Sequence, residues 1–144
     1  MKLTLLAVGK LKDDWAVDGC AEYEKRLKRH SPIESIEVRD DKALLARVPA
    51  PGSRARVIAL DVRGDELSSE ELAERVQLWQ RSGATSVCFF IGGADGLPAD
   101  LVKRADERIS LGRMTLPHRI ARLVLLEQLY RAFSIVRGEP YHRA

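Results

Sequence analysis

The sequence predicts an α/β protein, a mostly parallel sheet with helices on both faces. Three observations carry this. Strand-like and helix-like stretches alternate along the chain. The runs Leu3–Val8, Val57–Leu60 and Ser86–Ile91 are apolar almost throughout, as in strands covered on both faces. No repeat, linker or low-complexity segment interrupts the pattern, so residues 1–144 read as one domain.

Leu3–Val8 is the first buried strand. Trp15, Cys20, Tyr23 and Leu27 then recur at roughly helical spacing over Asp14–Arg29. Ile33–Val38 is a strand-length run that ends before Arg39-Asp40-Asp41, and a short helix over Lys42–Arg47 is stopped by Pro49, Pro51 and Gly52. After Val57–Leu60, Ser68 and Ser69 before Glu70-Glu71 form an N-cap signature for a helix to about Arg81. Ser86–Ile91 is followed by Gly92-Gly93, a short helix after Pro98, and a strand at Ile109–Leu111. A final helix runs from near Pro117 to Val136 and ends at Gly138. That helix is apolar almost all round: Ala121, Leu125, Leu129, Ala132, Phe133 and Val136 on one broad face, with Ile120, Leu123, Val124, Tyr130 and Ile135 spread over the rest. Such a helix is either central to one chain or buried in a twofold interface, and the small size of the domain favours the interface.

Lys and Arg number 24 against 21 Asp and Glu, a formal charge of +3 that permits a polyanionic partner without requiring one. Cys20 and Cys88 lie far apart in apolar surroundings, reduced thiols of a cytoplasmic protein. The three histidines are scattered and make no metal site, and no nucleophile triad is legible. No apolar run reaches the roughly 18 residues of a membrane span, and Met1–Val8 lacks a cleavage site, so no membrane role is expected.

Three places could carry chemistry. Gly92-Gly93-Ala94-Asp95-Gly96 follows a buried strand, where open α/β sheets bind ligands. Its spacing fits neither the dinucleotide nor the Walker fingerprint, and a plain tight turn is the competing reading. Ser110 to His118 forms a second loop before a helix N-terminus, with His118 either a capping imidazole or a group beside a ligand. The tail Tyr141-His142-Arg143 is either a frayed end or a cluster suited to phosphate and an unpaired base. Lys25, Arg26, Lys28, Arg29 and His30 form a basic run that is either a solvated face or a track for RNA.

Taken together, Leu3 to Lys10, Ile91-Gly92-Gly93, Met114 to His118, Glu127 to Ala132 and Pro140 to Arg143 resemble the bacterial large-subunit ribosomal RNA methyltransferase H family, in order and over essentially the whole chain. The resemblance implies the SPOUT class with a C-terminal trefoil knot, S-adenosyl-L-methionine as cofactor, and a homodimer. It also implies methylation of N3 of a pseudouridine in 23S ribosomal RNA within the assembled ribosome. By position, the cofactor residues would be Leu60, Asp61, Gly92, Gly93, Gly112, Arg113, Met114, Thr115, Leu116 and Pro117. His118, Tyr141 and His142 are candidates for handling the N3 proton, and Arg143 for binding phosphate or steadying the imide anion. The stretch between Val38 and Arg56 is shorter than is usual for the family. Two other readings remain open: a SPOUT enzyme acting on another rRNA or tRNA base or a ribose 2′-oxygen, and a ribosome-binding factor without catalysis.

Overall fold

Hydrophobic alternation along the central strands divides the molecule into two cores. The computed structural model describes residues 1–143, with side chains described through Tyr141. Its elements are β1 (Lys2–Val8), α1 (Asp14–Leu27), β2 (Ile33–Val38), α2 (Asp41–Leu45), β3 (Ala55–Glu66), α3 (Ser69–Arg81), β4 (Ser86–Ile91), α4 (Ala99–Arg104), β5 (Glu107–Ser110) and α5 (His118–Arg137), closed by a 3-10 turn over Pro140–Arg143. The strands pair in the order β2-β1-β4-β3-β5, and every pairing is parallel. Leu3, Leu5 and Ala7 of β1, Val87, Phe89 and Ile91 of β4 and Ile58 of β3 point to one face, against α1, α3 and α5. Leu6, Val57, Ala59, Cys88 and Phe90 point to the other, against Leu44 of α2 and Leu101 of α4. Residues of both parities are therefore buried, which is why these strands read as continuous apolar runs.

The helix ends follow local chemistry. Ser68 and Glu71 form a reciprocal capping box at the start of α3. Asp40 caps α2 by accepting from the Ala43 N–H at 2.8 Å, so this helix begins one residue before its expected start. The first helix closes at Leu27 rather than Arg29, because the His30 N–H turns back to the Leu27 carbonyl at 2.8 Å. Gly138 ends α5 at φ +69°, with the Glu139 and Gly138 N–H groups donating to the Ser134 and Ile135 carbonyls.

Two strands depart from expectation. β5 begins at Glu107 rather than Ile109, because Glu107, although charged, is held in the sheet by Arg56, Arg75 and Trp79. β3 runs past Leu60 to Glu66 through an irregularity: Leu60 and Asp65 both pair with Ile109, so residues 61–64 leave the ladder as an excursion. Gly64 brings that excursion back, and a Cβ there would stand 2.6 Å from the Arg108 carbonyl carbon.

α5 packs between α1 and α3. Leu125, Leu126, Leu129, Ala132 and Phe133 are buried within the single chain, while Ile120, Leu123, Val124 and Ile135 are half-buried. The chain alone therefore satisfies much of the burial that this apolar helix requires. Cys20 and Cys88 are both free and buried, and burial raises both thiols above their ordinary range.

Candidate active site

The C-terminal ends of β3 and β4 and the loop after β5 converge on a cavity of about 620 Å³, in the size range of small-molecule sites. Leu60, Ile91, Leu97, Leu111 and Leu116 supply apolar wall, and Asp61 and His118 supply polar groups. Every residue expected to hold a cofactor lines this cavity except Arg113, whose side chain is exposed on the loop outside it.

The glycines serve the loops' own paths. A Cβ at Gly92 would stand 2.4 Å from the Gly96 carbonyl carbon, because the segment after β4 folds back on itself, with a bridge between Gly93 and Gly96. At Gly93 a Cβ would make ordinary contact with Val8 at 3.4 Å. Gly92 is thus required by a tight return, and Gly112 by its φ of +131°. The turn and ligand-loop readings of this segment are not exclusive: the tight turn forms part of the cavity wall.

Asp61 is only 10% exposed. Its Oδ1 accepts from the Arg63 N–H at 3.1 Å and lies 3.5 Å from Arg63 Nε, while Oδ2 has no partner among the described residues. A buried carboxylate oxygen without a donor costs stability, and its position in the cavity wall suits a hydrogen-bond donor on a ligand. S-adenosylmethionine, with a flat heterocycle, a ribose diol and an α-ammonium, fits a site of apolar wall that also carries the carboxylates of Asp61 and Asp95.

His118 opens α5 with Nδ1 buried and unpartnered. The other edge of its ring lies against Gly9, where a Cβ would be 3.5 Å from Nε2. Burial, followed by the positive charges of Arg122 and Arg119, lowers the imidazole pKa below its usual 6.5 and favours the neutral ring. Arg122 is 4% exposed and pairs with Glu37 at 2.7 Å, and Glu37 also accepts from the Leu11 N–H. This ties β2, the loop after β1 and α5 together beneath His118. Sequence reading missed the pair, although the Arg122 position one turn after His118 was available as a signal.

Tyr141 does not line the cavity. Its ring packs edge-on against Tyr130 at 4.7 Å, and its hydroxyl meets that of Tyr23 at 3.0 Å and donates to Glu127 at 3.3 Å. Arg131 lies 5.0 Å from the ring centre. Burial, then the Tyr23 hydrogen bond and the Glu127 charge, hold this phenol protonated far above its ordinary range. Its hydroxyl is held as a donor to Glu127. The side chains of His142 and Arg143, the remaining expected site groups, lie outside the described residues.

A parallel five-stranded sheet with glycine-bearing loops around one cavity, at the strand ends beside a long C-terminal helix, agrees with known proteins. The family model described as "Predicted SPOUT methyltransferase" matches residues 1–142, and the chain belongs to this family. Among its relatives is a protein named ribosomal RNA large subunit methyltransferase H from Anaeromyxobacter sp. (strain K), 45% identical over 99% of this chain and 100% of its own length. A protein of the same name from Listeria monocytogenes serotype 4b (strain F2365) is 44% identical over the same shares. Their alignments span 154 and 162 positions against 144 residues here, so the relatives carry additional residues. The crystal structure of the A. aeolicus TrmH/SpoU tRNA modifying enzyme shares the fold, with a TM-score of 0.51 at 11% identity over 95% of this chain and 77% of that one.

Proposed function

We propose that this chain is an S-adenosylmethionine-dependent methyltransferase that modifies N3 of a pseudouridine in 23S ribosomal RNA on the assembled ribosome. It works as a homodimer of one SPOUT domain in the cytoplasm. The observation that carries the reading is the convergence of residues 60–61, 92–93, 112 and 114–117 on one cavity, in a chain whose full-length relatives are named ribosomal RNA large subunit methyltransferase H. The C-terminal trefoil knot belongs to the same reading, supported by membership of the SPOUT methyltransferase family.

S-adenosylmethionine supplies an electrophilic methyl group when bound. The chain's part is positioning and proton handling. Leu60, Ile91, Leu111 and Leu116 would hold the apolar part of the cofactor, backbone groups of 92–93, 112 and 114–117 would offer it hydrogen bonds, and Asp61 Oδ2 would accept from one of its polar groups. Neutral His118, with Nδ1 free of protein partners, is suited to receive the N3 proton directly or through water.

The tail acts from a neighbouring subunit. Tyr141 lies against α1 and α5 of its own chain rather than in its own cavity, and the half-buried apolar row of α5 offers an interface for a second copy. Pairing on that side would carry the tail of one copy toward the site of the other.

Nucleoside mass spectrometry of ribosomal RNA from a deletion strain tests the reading. The expected result is loss of N3-methylpseudouridine and its return on complementation. An unchanged mark, or loss of a ribose or transfer RNA methyl group instead, overturns it.

A further inference from the structure

Residues 61–64 leave the β3 ladder and return through Gly64, whose lack of a Cβ lets the chain lie against the Arg108 backbone. Bulges of this kind re-aim side chains beside functional sites. Asp61 holds the excursion by accepting from the Arg63 N–H. The outcome is an apolar and a cationic side chain in water at the cavity rim: Val62 is 55% exposed and the Arg63 side chain 79% exposed. The loop after β5 does the same. Gly112 at φ +131° turns the chain, Arg113 is exposed, and Met114, in the cavity lining, is 82% exposed.

Val62 and Met114 are thus exposed large apolar side chains bordering one cavity, each next to an exposed arginine. The mouth of a methyltransferase cavity must receive the acceptor base. An unstacked nucleotide offers two apolar ring faces flanked by phosphates, and this rim presents the complementary groups. A second protein surface would also cover Val62 and Met114, but the paired arginines favour a polyanion.

We propose that the excursion 61–64 and the turn 112–114 form a nucleotide clamp, with Val62 and Met114 against an unpaired base and Arg63 and Arg113 on its flanking phosphates. This rests on the RNA methyltransferase reading and adds the surface that takes the substrate. Gly112 and Met114 line the cavity while the Arg113 side chain is exposed outside it, where a phosphate can reach it.

The test uses the intact protein, ribosomes lacking the mark, and the variants Val62→Ser/Arg63→Gln and Arg113→Gln, the last at a side chain outside the cavity lining. Each variant should raise KM for ribosomes about tenfold or more, with S-adenosylmethionine affinity by calorimetry within about threefold of wild type for Arg113→Gln. Each should also reduce the salt dependence of ribosome binding by about 0.7 in the log–log slope, one phosphate contact. Unchanged KM and slope in both variants overturn the clamp, as does conversion of the protein to monomers by light scattering, which would assign the rim to a subunit contact. Failure of the wild-type protein to bind ribosomes overturns the functional reading itself, and the clamp with it.

Discussion

Two buried carboxylates on neighbouring strands of one sheet serve opposite ends. Glu107, at the start of β5, accepts from Arg75 at 2.6 Å, Trp79 Nε1 at 2.7 Å and Arg56 at 3.1 Å, so both its oxygens are used. Asp61, past the end of the regular β3 ladder, has one oxygen held by Arg63 and one without a partner among the described residues. The strand-start edge is a closed network that fastens α3 to β3 and β5. The strand-end edge keeps polar groups in reserve. A sheet that must bind a ligand at one end can meet its stability needs at the other, and hydrogen-bond accounting distinguishes the two without reference to function.

The comparison can be broken at several points. The largest expected effect is on chemistry: deleting Pro140 to Ala144 should leave S-adenosylmethionine affinity within a few-fold of normal while single-turnover methylation of ribosomes collapses. Methylation at the wild-type rate would remove the tail from the site. Next is the loop: Gly92→Val forces a branched side chain into the Gly96 backbone. It should abolish calorimetric cofactor binding while circular dichroism still reports a folded protein. Glu107→Ala probes the closed edge. It strands the Trp79 N–H and takes a partner from Arg56, which is partly exposed, and from Arg75, which keeps Asp65, and should lower unfolding stability by about 2 kcal/mol in urea. The folded fraction should bind cofactor normally, since Glu107 is not part of the cavity lining.

The smallest effect is on acid stability. Burial first, then neighbouring arginines, lowers the His118 pKa in the folded state from 6.5, and burial is the main cause of the same shift in His30. The unfolded chain therefore binds protons more readily at both positions. Their stabilisation is fully present above pH about 6.5 and is lost as pH falls through the lower folded values. Thermal melts between neutral and mildly acid pH should show this decline, and His118→Gln with His30→Gln should flatten it. An equally steep decline in the double variant would assign acid sensitivity elsewhere.

How much of this was legible in the sequence depended on whether burial or pairing governs a segment. The cores of β1 and β4 are apolar on both parities and declare themselves, as do the Ser68 cap and the Gly138 stop. Glu107 and the stretch Asp61 to Glu66 are strand residues held by ion pairs and by a bulge, and no hydrophobic period marks them. The cavity residues came from motif resemblance, because G-G-x-x-G alone does not distinguish a turn from a ligand loop. The Arg122–Glu37 pair joins residues 85 positions apart, and only the fold brings them together.

The measurement closest to the central claim is calorimetric titration of S-adenosylmethionine into wild-type protein, Asp61→Ala and Glu107→Gln. Saturable binding to wild type, an affinity loss of roughly tenfold or more in Asp61→Ala and no loss in Glu107→Gln are the results predicted. No binding to wild type, or equal affinity in wild type and Asp61→Ala, would contradict the assignment of the strand-end cavity and its unpaired carboxylate to the cofactor.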